Sequence, residues 1–228
     1  CAVDYPLVTC CCTPEWQERH QQLWQDAVSR SQRAELVSVD VLKAIATTVQ
    51  PDGVVATAKR RVADDSLLSS DHPILSGVGL ALETVQDPGN LGTMIRTSAA
   101  AGAERLWLTT DSVDLDNPKV LRASAGQWFR MPVTVTANLQ DVVRQCQERG
   151  IQVVATIPDA TLSYWDIDLA SPTLILLGNE AAGLNPTLAS LADRQVQIPL
   201  KPGVESLNVA IAAALILYEA QRQRRNQG

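Results

Sequence analysis

The sequence has few of the features that a metal site or a membrane span requires. Its two histidines, His20 and His72, both lie near the beginning of the chain, which argues against a metal enzyme. The longest apolar runs, 174–177 and 209–217, are far shorter than the roughly 20 residues that a transmembrane helix needs. No signal-peptide pattern opens the sequence. We therefore expect a protein with no metal and no membrane association.

The cysteines provide no evidence for a disulfide framework. Of the five, Cys10, Cys11 and Cys12 are adjacent, a spacing that suits neither a set of disulfides nor a zinc site. Reduced thiols of this kind are typical of cytoplasmic proteins, so we expect a cytoplasmic location. The sequence begins with Cys1 rather than Met, and we expect that part of the N-terminus has been cut away.

The chain also lacks an excess of basic residues. Its net charge of −6 argues against a protein that wraps nucleic acid without specificity. A local cluster can still bind phosphates, and Arg105, Arg122 and Arg130 are candidates for one. Scattered arginines are nevertheless more often solvated surface residues.

The periodicity of the 228 residues indicates two α/β regions. Residues 1–60 form the first, with a polar helix predicted over 14–33 and a strand over 54–58. Residues 61–76 resemble a linker. From residue 77 to residue 228, continuously apolar strands alternate with helices. This pattern predicts a mostly parallel sheet with helices on both faces.

The first segment with chemical content is 83–96. Pro88 and Gly89 turn the chain after a strand, and Asn90 occupies the expected N-cap of a helix. Gly92 and Arg96 are four residues apart and share a helix face. A guanidinium in such an apolar helix indicates a phosphate or carboxylate partner, and a structural salt bridge is the alternative.

The second segment, 174–184, runs from an apolar strand into a loop that contains Gly178, Glu180 and Gly183. Ligands bind outside the carboxyl ends of strands in open α/β sheets, and glycines there let backbone amides approach a ligand. A tight turn without a ligand has the same composition, and Glu180 could equally cap the following helix. The loop matches neither a P-loop nor a dinucleotide-binding motif.

The third segment, 198–210, turns out of a strand into the final helix. We expect Ser206 at its N-cap and Asn208 in its first turn. Apolar residues follow at helical spacing, and this stripe belongs either to the core or to a dimer surface. Its members are Leu207, Ile211, Ala214, Leu215 and Tyr218.

Together the three segments resemble the SpoU (TrmH-like) branch of the SPOUT RNA 2′-O-ribose methyltransferases. The resemblance extends over residues 77–220, and its three motifs correspond to 90–96, 178–184 and 206–209. The stretch 117–126 is similar to the family's connection between the first two motifs. Residues 36–59 resemble the end of the L30e-like substrate-binding domain that often precedes the catalytic domain, so we expect a partial L30e-like domain here.

The resemblance implies a C-terminal trefoil knot that binds S-adenosylmethionine (SAM), a homodimer, and methyl transfer to structured rRNA or tRNA. It implies that Arg96 activates the ribose hydroxyl and that Asn90, Glu180, Ser206 and Asn208 orient the reacting groups. The cofactor-binding residues implied are Thr156, Leu177, Gly178, Asn179, Gly183, Ile198, Leu200, Ser206 and Leu207. Two alternatives remain, an RNA-binding SPOUT-fold protein without transfer activity and an α/β enzyme for a small nucleotide.

Overall fold

The computed structural model describes residues 5–59 and 75–226. Contacts divide the chain into two compact units, Cys1–Val62 and Ala63–Gly228. Most of the linker predicted at 61–76 lies outside the described residues. Within those residues, no helix is both long enough and apolar enough to cross a membrane.

The smaller unit is an α/β arrangement around a three-stranded sheet. Its elements are β1 (Leu7–Cys12), α1 (Pro14–Arg19), α2 (Gln21–Arg30), β2 (Ser31–Leu36), α3 (Val39–Ile45) and β3 (Val54–Ala58). The central strand β1 pairs in parallel with β2 and antiparallel with β3. The strand predicted at 54–58 is confirmed.

The single helix predicted over 14–33 is wrong in two respects. The helix is interrupted at His20, whose backbone does not have helical dihedral angles, and α2 ends at Arg30. The next six residues form strand β2, because their backbone groups pair with β1. A polar sequence gives little sign of such a strand, since its half-exposed side chains carry no apolar alternation.

The larger unit contains a seven-stranded sheet and five helices among the residues that the structure describes. The strands are β4 (Val78–Leu82), β5 (Arg105–Thr109), β6 (Val133–Thr136), β7 (Gln152–Thr156), β8 (Leu162–Ser163), β9 (Thr173–Leu177) and β10 (Arg194–Gln197). The helices are α4 (Pro88–Ala101), α5 (Pro118–Ala123), α6 (Leu139–Glu148), α7 (Pro186–Ser190) and α8 (Val209–Arg225). The strand order is β6-β5-β4-β9-β7-β10-β8, and all the described ladders are parallel. The predicted parallel sheet is therefore confirmed.

Alternate side chains of the central strands point to two separate cores. On β4, Leu80 and Leu82 belong to the core that includes apolar residues of α4 and α8. The intervening Ala81 belongs to the second core, with apolar residues of α6 and α7. Both faces of the sheet are thus covered by helices, as predicted, which explains why its central strands are apolar without interruption.

Candidate active site

Three segments that follow neighbouring strands of the larger sheet surround a cavity of about 340 Å³. They follow β7, β9 and β10, whose carboxyl ends lie at the same edge because the strands are parallel. All the residues predicted to bind the cofactor line this cavity: Thr156, Leu177, Gly178, Asn179, Gly183, Ile198, Leu200, Ser206 and Leu207. The structure brings them together, while their role in binding stays a prediction.

The loop after β9 is folded tightly on itself. The backbone groups of Asn179 and Gly183 exchange two hydrogen bonds of 3.0 Å. The Asn179 side chain accepts from the backbone N–H groups of Ala181 and Ala182 and donates to the Thr84 carbonyl. A Cβ atom on Gly178 would overlap the backbone of Gly183, so only glycine permits this approach.

Helix α4 begins with a different cap from the one predicted. The N-cap is Asp87, whose carboxylate accepts a 2.9 Å hydrogen bond from the backbone N–H of Asn90. Pro88 occupies the first helical turn, where its missing N–H costs nothing. Asn90 therefore lies inside the first turn, and its side chain is available for other contacts.

A chain of hydrogen bonds joins the three motif segments. The Glu180 carboxylate accepts from the backbone N–H groups of Gln86 and Asp87 at 3.3 Å and from the Asn90 side-chain amide at 3.1 Å. The Asn208 amide in turn donates to Asn90 Oδ1 at 2.9 Å. Burial opposes ionisation of Glu180, but the hydrogen bonds from Asn90 and the backbone outweigh it and lower its pKa. Glu180 is thus held as an anion at neutral pH.

Asn208, rather than Ser206, is the N-cap of the final helix. Its Oδ1 accepts from the backbone N–H groups of Ala210 and Ile211 at 2.9 and 3.3 Å. The helix consequently begins at Val209, two residues later than the sequence predicted. Ser206 lies in the exposed loop before the helix, where it lines the cavity.

Arg96 lies on α4, about 9 Å along the helix axis from Asn90. Met94 and Ile95 are buried, whereas Arg96 is exposed. Within the described parts of the chain it has neither a hydrogen bond nor an ion pair, so the salt bridge considered above is not seen there. One turn earlier, a Cβ on Gly92 would lie 2.7 Å from the Val120 carbonyl oxygen, and close packing of α4 on α5 requires glycine.

The cavity offers polar groups of a particular kind. Thr156 lines the cavity, and its hydroxyl is buried without a hydrogen-bond partner among the described residues. Among the described residues that line the cavity, the charged side chains are Glu180 and Glu205, with no lysine or arginine. This charge favours a cationic ligand over a nucleotide phosphate. Sequence reasoning missed Glu205, although its position directly before Ser206 was a signal.

SAM fits this set of residues. It is a net cation with an adenosine end and an amino-acid end. Buried apolar residues such as Leu177 and Val209 offer a wall for the adenine ring. The unpartnered Thr156 hydroxyl and the two carboxylates offer polar contacts for the remainder.

Two family models match the chain. The model of the SpoU rRNA Methylase family matches residues 77–218. A second model, described as RNA 2′-O ribose methyltransferase substrate binding, matches residues 1–61. The two matched regions fall in the two compact units of the structure.

Relatives of similar length support the same assignment. An uncharacterized tRNA/rRNA methyltransferase of Synechocystis is 45% identical over 94% of this chain and 76% of its own length. The 23S rRNA guanosine 2′-O-methyltransferase RlmP of Bacillus subtilis is 34% identical over 80% of this chain and 70% of its own. The crystal structure of the SpoU methyltransferase AviRb from Streptomyces viridochromogenes, in complex with AdoMet, superposes with a TM-score of 0.84 at 30% identity. That match covers 98% of this chain and 85% of AviRb. The chain belongs to the SpoU rRNA methylase family.

Proposed function

We propose that this protein transfers a methyl group from SAM to a ribose 2′-oxygen of ribosomal RNA. The observation that carries the proposal is the junction of three chain segments, in which Asn208 contacts Asn90 and Asn90 contacts Glu180 beside the cavity. Relatives named as 23S rRNA 2′-O-methyltransferases support rRNA as the substrate. The proposal keeps tRNA as a second substrate to be tested.

SAM, when bound, supplies a methyl group on a sulfonium, which is already a good leaving group and needs no metal. The protein's task is to position the ribose oxygen and to assist the loss of its proton. The Thr156 hydroxyl and the backbone of the 178–184 loop hold the cofactor end of this arrangement. The tight Asn179–Gly183 pairing keeps that backbone in place before the ligand arrives.

Arg96 acts on the RNA side of the site. A guanidinium is a poor base, so we assign it to a phosphate of the RNA or to the negative charge that develops on the ribose oxygen. Its exposure, with no carboxylate partner in the described residues, leaves it able to make such a contact. A phosphate held in this way can itself accept the hydroxyl proton.

Asn90, Glu180 and Asn208 act as positioning residues. Glu180 holds the turn before α4 through two backbone N–H groups, and Asn90 links that turn to the start of α8. Ser206 lines the cavity from the adjoining loop. The set fixes Arg96 and the cofactor loop relative to each other, because α4 carries the arginine and the 178–184 loop carries Glu180.

The protein's assembly and its location in the cell are part of the proposed function. We place the SAM site in a C-terminal trefoil knot and the active enzyme in a homodimer in the cytoplasm. The dimer is supported by an apolar stripe on α8, where Ile211 and Tyr218 are 50% and 49% exposed. The cytoplasm is supported by the free thiols of Cys10, Cys11 and Cys146. Sedimentation equilibrium tests the dimer directly.

The proposed domain division assigns residues 1–60 to RNA binding, 61–76 to a linker and 77–228 to methyl transfer. The substrate-binding family match over 1–61 supports the first of these roles.

Methyl transfer from tritiated SAM to unmodified rRNA and tRNA tests the function. With the wild type, we expect label in a ribose. With Arg96→Ala, we expect the rate of methyl transfer to fall by about a hundredfold or more, which is the usual contribution of a positioned catalytic group. Arg144→Ala is the matched control, because Arg144 is also exposed in the same unit but lies on α6 and pairs with Asp141. We expect it to retain wild-type activity.

Three outcomes would contradict all or part of the proposal. Binding of rRNA without any transfer, although SAM binds, would favour a SPOUT-fold RNA-binding protein that lacks activity. Transfer that is unaffected by Arg96→Ala would remove the role given to this arginine. Failure to bind SAM at all would contradict the function itself.

A further inference from the structure

The two carboxylates that line the cavity differ in what they contact. Glu180 accepts three hydrogen bonds, from two backbone N–H groups and from Asn90, and holds the turn before α4. Glu205 is exposed and has no hydrogen bond or ion pair with any residue that the structure describes. Its negative charge is therefore not neutralised by any described residue and remains available to a ligand.

Glu205 also lies at a particular part of the cavity. The wall formed by Leu177, Leu184 and Val209 is buried and apolar, which suits a planar adenine ring. Glu205 belongs instead to the exposed loop between β10 and α8. A ligand with an apolar ring at one end and a charged group at the other would meet this carboxylate with its charged end.

We propose that the Glu205 carboxylate binds the α-ammonium group of SAM, an inference that rests on the proposed function. The ammonium is a compact cation with N–H donors, and a charge-assisted hydrogen bond to a carboxylate is its strongest ordinary contact. No lysine or arginine lines the cavity to compete for Glu205 among the described residues. Glu205 is thus a binding residue for the amino-acid end of the cofactor and takes no part in proton transfer.

Calorimetric titration with two thioether ligands separates the contact between Glu205 and the α-ammonium group from contacts to the adenosine. S-adenosylhomocysteine carries the α-ammonium, whereas 5′-methylthioadenosine has the same adenosine and a thioether but no amino-acid group. We expect Glu205→Gln to weaken S-adenosylhomocysteine by roughly three- to tenfold, as for an exposed charge-assisted contact. We expect the affinity for 5′-methylthioadenosine to change by less than about twofold, since no charged pair is lost.

Two further variants serve as controls. Glu148→Gln removes an exposed carboxylate that lies at the end of α6 and does not line the cavity, and it should leave both affinities unchanged. Glu205→Asp keeps the charge on a shorter side chain and should recover part of the lost affinity. Recovery of the affinity for S-adenosylhomocysteine would show that binding requires the negative charge of residue 205 and that the loss in Glu205→Gln does not come from a change in the loop.

The outcomes distinguish this inference from the proposed function. Equal weakening of both ligands by Glu205→Gln would overturn it, because the carboxylate would then contact the adenosine or shape the loop. An unchanged affinity for S-adenosylhomocysteine would overturn it as well, while wild-type binding of SAM would leave the proposed function intact. Wild-type protein that binds none of these ligands would contradict both.

Discussion

Asn208 makes two contacts through two different atoms, so substitutions can separate them. Its Oδ1 caps α8 by accepting from the backbone N–H groups of Ala210 and Ile211. Its Nδ2 donates to Asn90 Oδ1 at 2.9 Å and joins the helix to the Glu180 network. Aspartate retains an oxygen for the cap and lacks the amide donor, whereas alanine retains neither.

The magnitudes follow from these contacts. Asn208→Ala loses both the cap and the bond to Asn90, so the free energy of unfolding should fall by about 2 kcal/mol, an ordinary N-cap plus an ordinary hydrogen bond. Asn208→Asp loses the bond but keeps the cap and gains a favourable negative charge at the helix N-terminus, so its stability should stay within about 1 kcal/mol of the wild type. Both variants lose the bond to Asn90. If that bond contributes about 1.4 kcal/mol to positioning in the transition state, the transfer rate falls about tenfold.

Urea denaturation measures the stabilities, and single-turnover methyl transfer at saturating SAM and RNA measures the rate. The expected result is two variants with similar rates and different stabilities. A wild-type rate in Asn208→Asp would refute the positioning role of the Asn208–Asn90 bond. Equal destabilisation by aspartate and alanine would refute the assignment of the cap.

Two more predictions concern the loop after β9. In Gly178→Ala, the added Cβ atom should push residue 178 away from the backbone of Gly183. We expect the free energy of unfolding to fall by about 1–3 kcal/mol, as it does on overpacking, and SAM binding to weaken in calorimetry. An unchanged SAM affinity would contradict the close approach of the two residues. For Glu180, the lowered pKa means that its ionised form stabilises the fold above its unfolded pKa, and that this contribution is lost as the pH falls through the folded pKa. The difference in free energy of unfolding between wild type and Glu180→Gln, measured in urea, should therefore shrink as the pH drops below the ordinary carboxyl pKa of 4.5. A difference that stays constant with pH would argue against a stabilising role of the ionised Glu180.

Much of the larger unit was predictable because its signals are local. Its buried strands are continuously apolar, and their alternation with helices predicts the parallel sheet and its two covered faces. The smaller unit was less predictable, since the polar strand Ser31–Leu36 forms only by pairing with β1. No propensity in six such residues outweighs the helical pattern that precedes them.

The candidate site shows the same division. The N-cap residues depend on where each helix begins. Helix α4 is capped by Asp87 rather than Asn90, and α8 is capped by Asn208 rather than Ser206. Several side chains at each of these turns have a suitable capping oxygen, and the sequence does not choose among them. The position of Glu205 beside Ser206 was visible in the sequence, but its lack of a partner among the described residues was not, because that is a property of the folded loop.

The sequence by itself determined the chemical groups of this protein. They are the glycines, amides and carboxylates of three motifs, which lie at strand ends and helix starts, together with Arg96 farther along helix α4. The tertiary structure alone decided which of them meet. Asn90 and Asn208 are 118 positions apart, and Asn90 and Glu180 are 90 apart. Hydrogen bonds act over about 3 Å, so contacts between such distant residues exist only once the parallel sheet brings the ends of its strands to one edge.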